Sequence, residues 1–210
     1  MKASIVANMS KVNPIILAII FMFNFECFAH TPEEGQIWAT TGPYFYQTKT
    51  SASQLEESPY IGYGLIAEGD VDYNGGVEIA LFYLDKLYFI DKGGDQVVEK
   101  IKRMFITTGY RHWFNKTFSF AGALFSSYSM GDAKVVVAPD KAGGLKTSAR
   151  DITEYGMDFS LQTEIWGNEE MAAVIDTRYS WSTTRNQGED ADVYGVALAF
   201  KYLIPKKHKD

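Results

Sequence analysis

The sequence predicts an all-β protein: eight antiparallel strands closed into an up-and-down transmembrane β-barrel. Three observations predict it. Stretches of ten to fifteen residues alternate apolar and polar side chains, and a strand turns its side chains over at every residue. Long polar connections alternate with short ones. After residue 29 no apolar run approaches the length of a membrane helix, so any structure spanning a bilayer must do so with a closed set of strands.

Taken in chain order, the first element reads as an export signal. Lys2 and Lys11 supply positive charge, Ile15 to Phe25 form a short apolar run, and Cys27-Phe28-Ala29 resembles a cleavage site. Residues 1–29 are therefore expected to be a cleaved signal peptide. An uncleaved anchor is disfavoured by the short run and by Glu26, which sits badly in lipid. Cys27 is the only cysteine, and Asn24 and Glu26 beside it do not fit a lipoprotein signal. Cleavage removes two lysines and one glutamate, so the formal net charge of −6 becomes −7. The mature chain has no disulfide and no thiol nucleophile. Its acidity excludes general nucleic-acid binding, which needs a basic footprint.

The barrel is expected over 30–204, with strands at 36–47, 60–69, 76–90, 101–114, 117–131, 152–165, 171–182 and 192–204. The sixth is the clearest. Tyr155, Met157, Phe159, Leu161 and Ile165 share one face; Glu154, Gly156, Asp158, Ser160, Gln162 and Glu164 share the other. The second sets Ile61, Tyr63, Leu65 and Ala67 against Gly62, Gly64 and Glu68. The third sets Val77, Ile79, Leu81 and Tyr83 against Glu78, Ala80 and Lys86. The fifth, seventh and eighth repeat the pattern. The first and fourth are muddier, and their faces are not assigned.

Segments 48–59, 91–100, 132–151 and 183–191 are long or polar, and 70–75, 115–116 and 166–170 are short. Long loops at one end and tight turns at the other are the asymmetry of a membrane barrel. Aromatic residues gather at both strand ends. Trp38, Trp113, Phe114, Phe118, Trp166 and Tyr202 lie near the short turns. Tyr44, Tyr60, Tyr88, Tyr128, Tyr155, Trp181 and Tyr194 lie near the long loops. They are expected to form two belts at the membrane–water boundaries. The rival reading is a secreted, soluble lipocalin-like ligand carrier, also of about eight strands. Its outer face would be rich in Lys, Glu, Thr and Gln, whereas the polar faces here are full of Gly, Ala and Ser.

With these features the chain resembles the small eight-stranded bacterial outer-membrane barrels of the OmpA/OmpX/OmpW type, the outer membrane protein beta-barrel domain family, over about residues 36–204. The stretches that carry the resemblance are Met104 to Phe114, Asp158 to Ile165, and the final strand with Val193, Gly195, Leu198, Phe200 and Tyr202. The resemblance implies residence in a Gram-negative outer membrane, among outer-membrane lipid and lipopolysaccharide. The final strand is similar to the signal by which the barrel-assembly machinery recognises its clients. Such proteins usually stop on an aromatic residue; this chain runs on through Pro205 to Asp210, read as a short basic periplasmic tail.

On this barrel the inward charges are Glu68, Glu78, Lys86, Arg111, Glu154, Asp158, Glu164, Asp176, Arg178 and Lys201. Charges withdrawn from water must pair. Asp158 is expected close to Arg178, and Lys201 near Asp176 or Glu164. The plain expectation is a salt-bridged core that fills the lumen, since barrels of about eight strands are normally filled by side chains. The alternative is a narrow channel for small or apolar solutes. In loop 132–151, Lys134, Lys141, Lys146 and Arg150 form a possible surface-binding set for lipopolysaccharide phosphates or an extracellular partner of unspecified kind.

No enzymatic activity is expected. Some barrels of this resemblance modify lipid A, and the deacylase-like ones carry a His-x-Ser pair. Here His112 is followed by Trp113 and Phe114, while His30 and His208 lie on the tails. No cluster has metal-ligand spacing. Gly93-Gly94 and Gly143-Gly144 lack the residues of a phosphate-cradling loop, so no cofactor is expected. The role read from the sequence is structural or surface-interactive.

Overall fold

The computed structural model describes residues 32–48, 59–92, 95–137, 152–184 and 192–205. The strands are β1 (Ile37–Thr48), β2 (Tyr60–Asp72), β3 (Gly75–Lys92), β4 (Asp95–Trp113), β5 (Phe118–Ser129), β6 (Lys134–Val137), β7 (Glu154–Gly167), β8 (Met171–Ser182) and β9 (Val193–Leu203). Each long strand pairs antiparallel with its neighbours, and β1 pairs with β9 from Trp38↔Leu203 to Thr48↔Val193. The eight long strands thus close on themselves in an up-and-down barrel. β6 is a short addition laid on the upper part of β4. Closure satisfies the backbone within the wall and removes sheet edges, the condition for strands to cross hydrocarbon.

The three short turns share one device. A side-chain oxygen accepts from backbone amides of the turn: Asp72 from Asn74, Asn115 from Thr117 and Phe118, and Asn168 from Glu170 and Met171. Each carries out locally the work of a backbone turn. The Asn74 amide, and then the Tyr110 hydroxyl, hold the Asp72 carboxyl below the ordinary range. That contribution is complete above the ordinary carboxylate range and fades as acid protonates Asp72 in the folded protein.

The two faces of the wall are inverted relative to a soluble protein. Outward positions are apolar and exposed, among them Ile61, Tyr63, Leu65, Ile79, Leu81, Leu124, Phe159, Leu161, Leu198 and Phe200. Inward positions carry Glu, Asp, Arg, Lys, Ser and small residues, together with a layer of aromatic and aliphatic side chains that includes Tyr44, Phe82, Leu84 and Phe105. A soluble carrier would bury Tyr155, Phe159, Leu161 and Phe200 in a central pocket, but they are 39–59% exposed. No described helix is long and apolar enough to cross a membrane; the crossing elements are strands.

Two features depart from expectation. Segment 91–100 was expected to be a connection, yet β3 and β4 keep an unbroken register from Gly75↔His112 to Lys92↔Asp95. They form a long hairpin that overshoots its neighbours, because the β-branched pair Val97-Val98 extends the ladder. The boundary belts also need correction. Trp38, Trp113, Tyr44 and Tyr88 point inward and are 2–3% exposed. Phe114, Trp166 and Tyr202 at one end, and Tyr128, Tyr155, Trp181 and Tyr194 at the other, lie on the outer surface. Position along a strand fixes depth, but parity fixes the face.

One inward tyrosine replaces a ladder. The β2–β3 pairing ends at Tyr63↔Tyr83. Beyond it, the Tyr46 hydroxyl accepts from the Asp85 amide at 2.5 Å and donates to the Asp85 carbonyl at 2.8 Å. Tyr46→Phe leaves both groups without this partner and is expected to cost about 1–3 kcal/mol. The urea midpoint of the refolded barrel checks it; an unchanged midpoint would show that the hydroxyl is dispensable.

Candidate functional site

The lumen is the site the sequence singles out. At mid-height, Glu78 on β3, Arg111 on β4, Asp158 on β7, and Asp176 and Arg178 on β8 form one cluster. Arg178 reaches Glu78 at 2.7 Å, Asp158 at 2.8 Å and Asp176 at 3.0 Å. Arg111 reaches Glu78 at 2.5 Å and Asp176 at 3.1 Å. Ser119 and Ser160 accept from the Arg111 guanidinium, and the Ser180 hydroxyl donates to Asp158. β3 and β8 stand on opposite walls of the closed order, so the Arg178–Glu78 pair spans the lumen. These five residues are 0–2% exposed. Charges so deep are tolerable only with this density of partners.

Toward the short turns lies a second group. Lys201 reaches Glu68 at 2.9 Å and Glu164 at 3.5 Å. Its ammonium stands 4.3 Å from the Trp113 ring centre and 5.2 Å from that of Trp38. The Trp113 indole donates to Glu68 at 2.7 Å. Toward the long loops, Lys86 reaches Glu154 at 2.8 Å, and the Tyr88 hydroxyl donates to the same carboxylate. Between this pair and the mid-height cluster sits an apolar layer of Tyr44, Tyr46, Phe82, Leu84, Phe105 and Phe125. Tyr44 meets Phe82 at 4.9 Å between ring centres, and Phe105 meets Phe125 at 4.9 Å.

Each residue singled out as an inward charge therefore has a stated place: five at mid-height, three (Glu68, Glu164, Lys201) below and two (Lys86, Glu154) above. Arg103 escaped the sequence reading. Its guanidinium donates to the Ser127 hydroxyl and carbonyl and to the Ile152 carbonyl. The signal for it was parity with Arg111 along β4, masked by the crowding of Glu99, Lys100, Lys102 and Arg103. Of the loop set, Lys134 is exposed on β6, while Lys141, Lys146 and Arg150 lie outside the described residues. His112 is exposed, its ring edge-on to Phe114 and away from the lumen serines. Among the described residues no group of three or more His, Cys, Asp or Glu is arranged to hold a metal.

Comparison of the whole fold returns membrane barrels. OprG from Pseudomonas aeruginosa superposes with a TM-score of 0.55, at 14% identity, over 85% of this chain and 99% of that one. The chain has the outer-membrane barrel fold. Ail, the attachment invasion locus protein of Yersinia pestis, is similar at a TM-score of 0.50 and 14% identity, over 82% of this chain and 100% of that one. The same protein in a phospholipid bilayer nanodisc gives 0.50 and 16%, over 81% and 100%. No family model matches the sequence, and no curated protein matches it. The outer-membrane barrel fold agrees with the apolar exterior: hydrocarbon is the surroundings that suit such a wall.

Proposed function

We propose that this is a closed, non-conducting outer-membrane barrel that acts through its exposed long-loop end, in a structural or surface-interaction role. The observation that carries the proposal is the Arg178–Glu78 pair joining opposite walls within a cluster of five buried charges. An apolar layer on one side and the Lys201–Glu68 group on the other leave the axis occupied at three levels. A water-filled path would have to break charge-assisted contacts in low dielectric. Residues 1–29 direct export, the barrel-assembly machinery inserts 30–204, and 205–210 remain as a periplasmic tail. Lys134, Lys141, Lys146 and Arg150 supply cationic charge on the extracellular side, facing lipopolysaccharide or an extracellular partner. The chemistry within reach of the lumen is pairing rather than catalysis, since the buried serines described above meet arginine and carboxylate groups.

Planar-bilayer recording tests the proposal. Purified protein is expected to give no discrete current steps. Reproducible steps from the folded protein would contradict it and favour a narrow channel.

A further inference from the structure

We infer that Lys100, Lys102 and Lys134 form a clamp for the phosphate groups of lipid A in the outer leaflet. The inference rests on the proposed placement of the long-loop end outside the membrane and names a partner for that rim. Lys100 and Lys102 sit two residues apart on β4 and so share its outward face. Lys134 on β6 is the direct cross-strand partner of Lys100. Like charges directly opposite on a ladder repel, so the chain bears a cost that an external anion would relieve. The acids near them are Asp85, which pairs with Lys100 at 2.9 Å and lies across the ladder from Lys102, and Asp132 on the loop before β6. Glu99 faces inward and is buried. Among the described residues three ammonium groups thus face two carboxylates, on a chain whose net charge is −6.

The depth of the patch selects the partner. Met104, the next outward residue down β4, is paired with Tyr83 on one side and Tyr128 on the other. Both tyrosines are exposed and stand at the boundary level where aromatic side chains meet head groups. Lys102 lies one outward step above, with its ammonium 5.8 Å from the Tyr83 ring centre. Lys100 stands 4.8 Å from that of Tyr60, which stacks on the inward Tyr46 at the mouth of the barrel. The Tyr83 ring holds Lys102 at the level of lipid head groups. Phosphate oxygens accept charge-assisted bonds from ammonium groups, and a lipid A molecule carries its phosphates beside acyl chains that suit the apolar wall below.

The test titrates the full-length protein in detergent with diphosphorylated lipid A, with the same lipid A after phosphatase treatment, and with phosphatidylglycerol. Wild type is expected to bind the diphosphorylated form at least about tenfold more tightly than either other lipid. The triple variant Lys100→Gln, Lys102→Gln, Lys134→Gln should lose that preference, and Lys102→Gln alone should lose part of it. Lys116→Gln, on a short turn at the far end, should retain it. The β signal in circular dichroism and the heat-dependent gel mobility of each variant verify folding. Full affinity in the folded triple variant, equal loss in Lys116→Gln, or indifference to phosphatase treatment would overturn the clamp. Those results leave the closed lumen intact, whereas current steps in wild type would overturn the closed lumen and leave the clamp standing.

Discussion

Arg178→Met is expected to destabilise the barrel by about 3–5 kcal/mol, because it leaves a buried carboxylate cluster short of a cation. Arg178 touches Glu78, Asp158 and Asp176. Without it, those three acids share Arg111 alone among the cluster's cations. Methionine restores much of the volume, so the loss reports charge rather than a cavity. Adding Glu78→Gln should recover part of it, since two residues in one network are not additive. Lys116→Met on an exposed turn should stay within about 0.5 kcal/mol. Urea unfolding in lipid vesicles measures all three. A loss below about 1 kcal/mol for Arg178→Met would mean that water reaches the cluster and the lumen is open.

The second large effect concerns glycine. Gly109→Val is expected to cost about 3 kcal/mol or more, at or beyond the upper end of overpacking. A Cβ at Gly109 would meet the Gly122 carbonyl and the Ala123 backbone across the β4–β5 seam, and backbone in a closed ladder cannot yield cheaply. Gly122 stands one register step away and differs completely. A Cβ there would meet only a Phe120 ring atom, at 3.9 Å. Gly122→Ala should therefore shift stability by less than about 0.5 kcal/mol. Refolding yield and urea midpoints of the two variants provide the comparison. Equal effects would show that this seam is looser than its geometry states.

The architecture was legible in the sequence wherever one strand had one polar and one apolar face. β7 is the best case: Glu154, Asp158, Ser160 and Glu164 are buried while Tyr155, Met157, Phe159 and Leu161 are exposed. β4 was not legible, because Glu99 to Arg103 place four charges in five positions and only the closed ladder decides that Arg103 turns in and Lys102 turns out. The inward Trp113 shows a different failure. It shares parity with Arg111, yet its closeness to a strand end suggested a boundary role. The partners of the charges were less legible than their faces. Asp158 and Arg178 lie on adjacent strands and can be paired from one turn. Arg178 with Glu78 requires the diameter of the closed barrel, and Lys201 with Glu68 requires β1 to sit between β9 and β2. Those contacts depend on long-range closure, which alternation along a strand does not encode.

Cysteine scanning along β7 tests the polarity of the wall most directly. Cys27 is the only native cysteine and lies in the signal segment, so in a chain that starts at His30 each introduced thiol is unique. A probe attached in turn at positions 154, 155, 157, 158, 159, 160 and 161 is read against a lipid-soluble quencher in reconstituted vesicles. Quenching is expected at 155, 157, 159 and 161 and to be absent at 154, 158 and 160. Quenching that ignores parity, or that selects 158 and 160, would contradict a barrel with hydrocarbon outside and paired charges within.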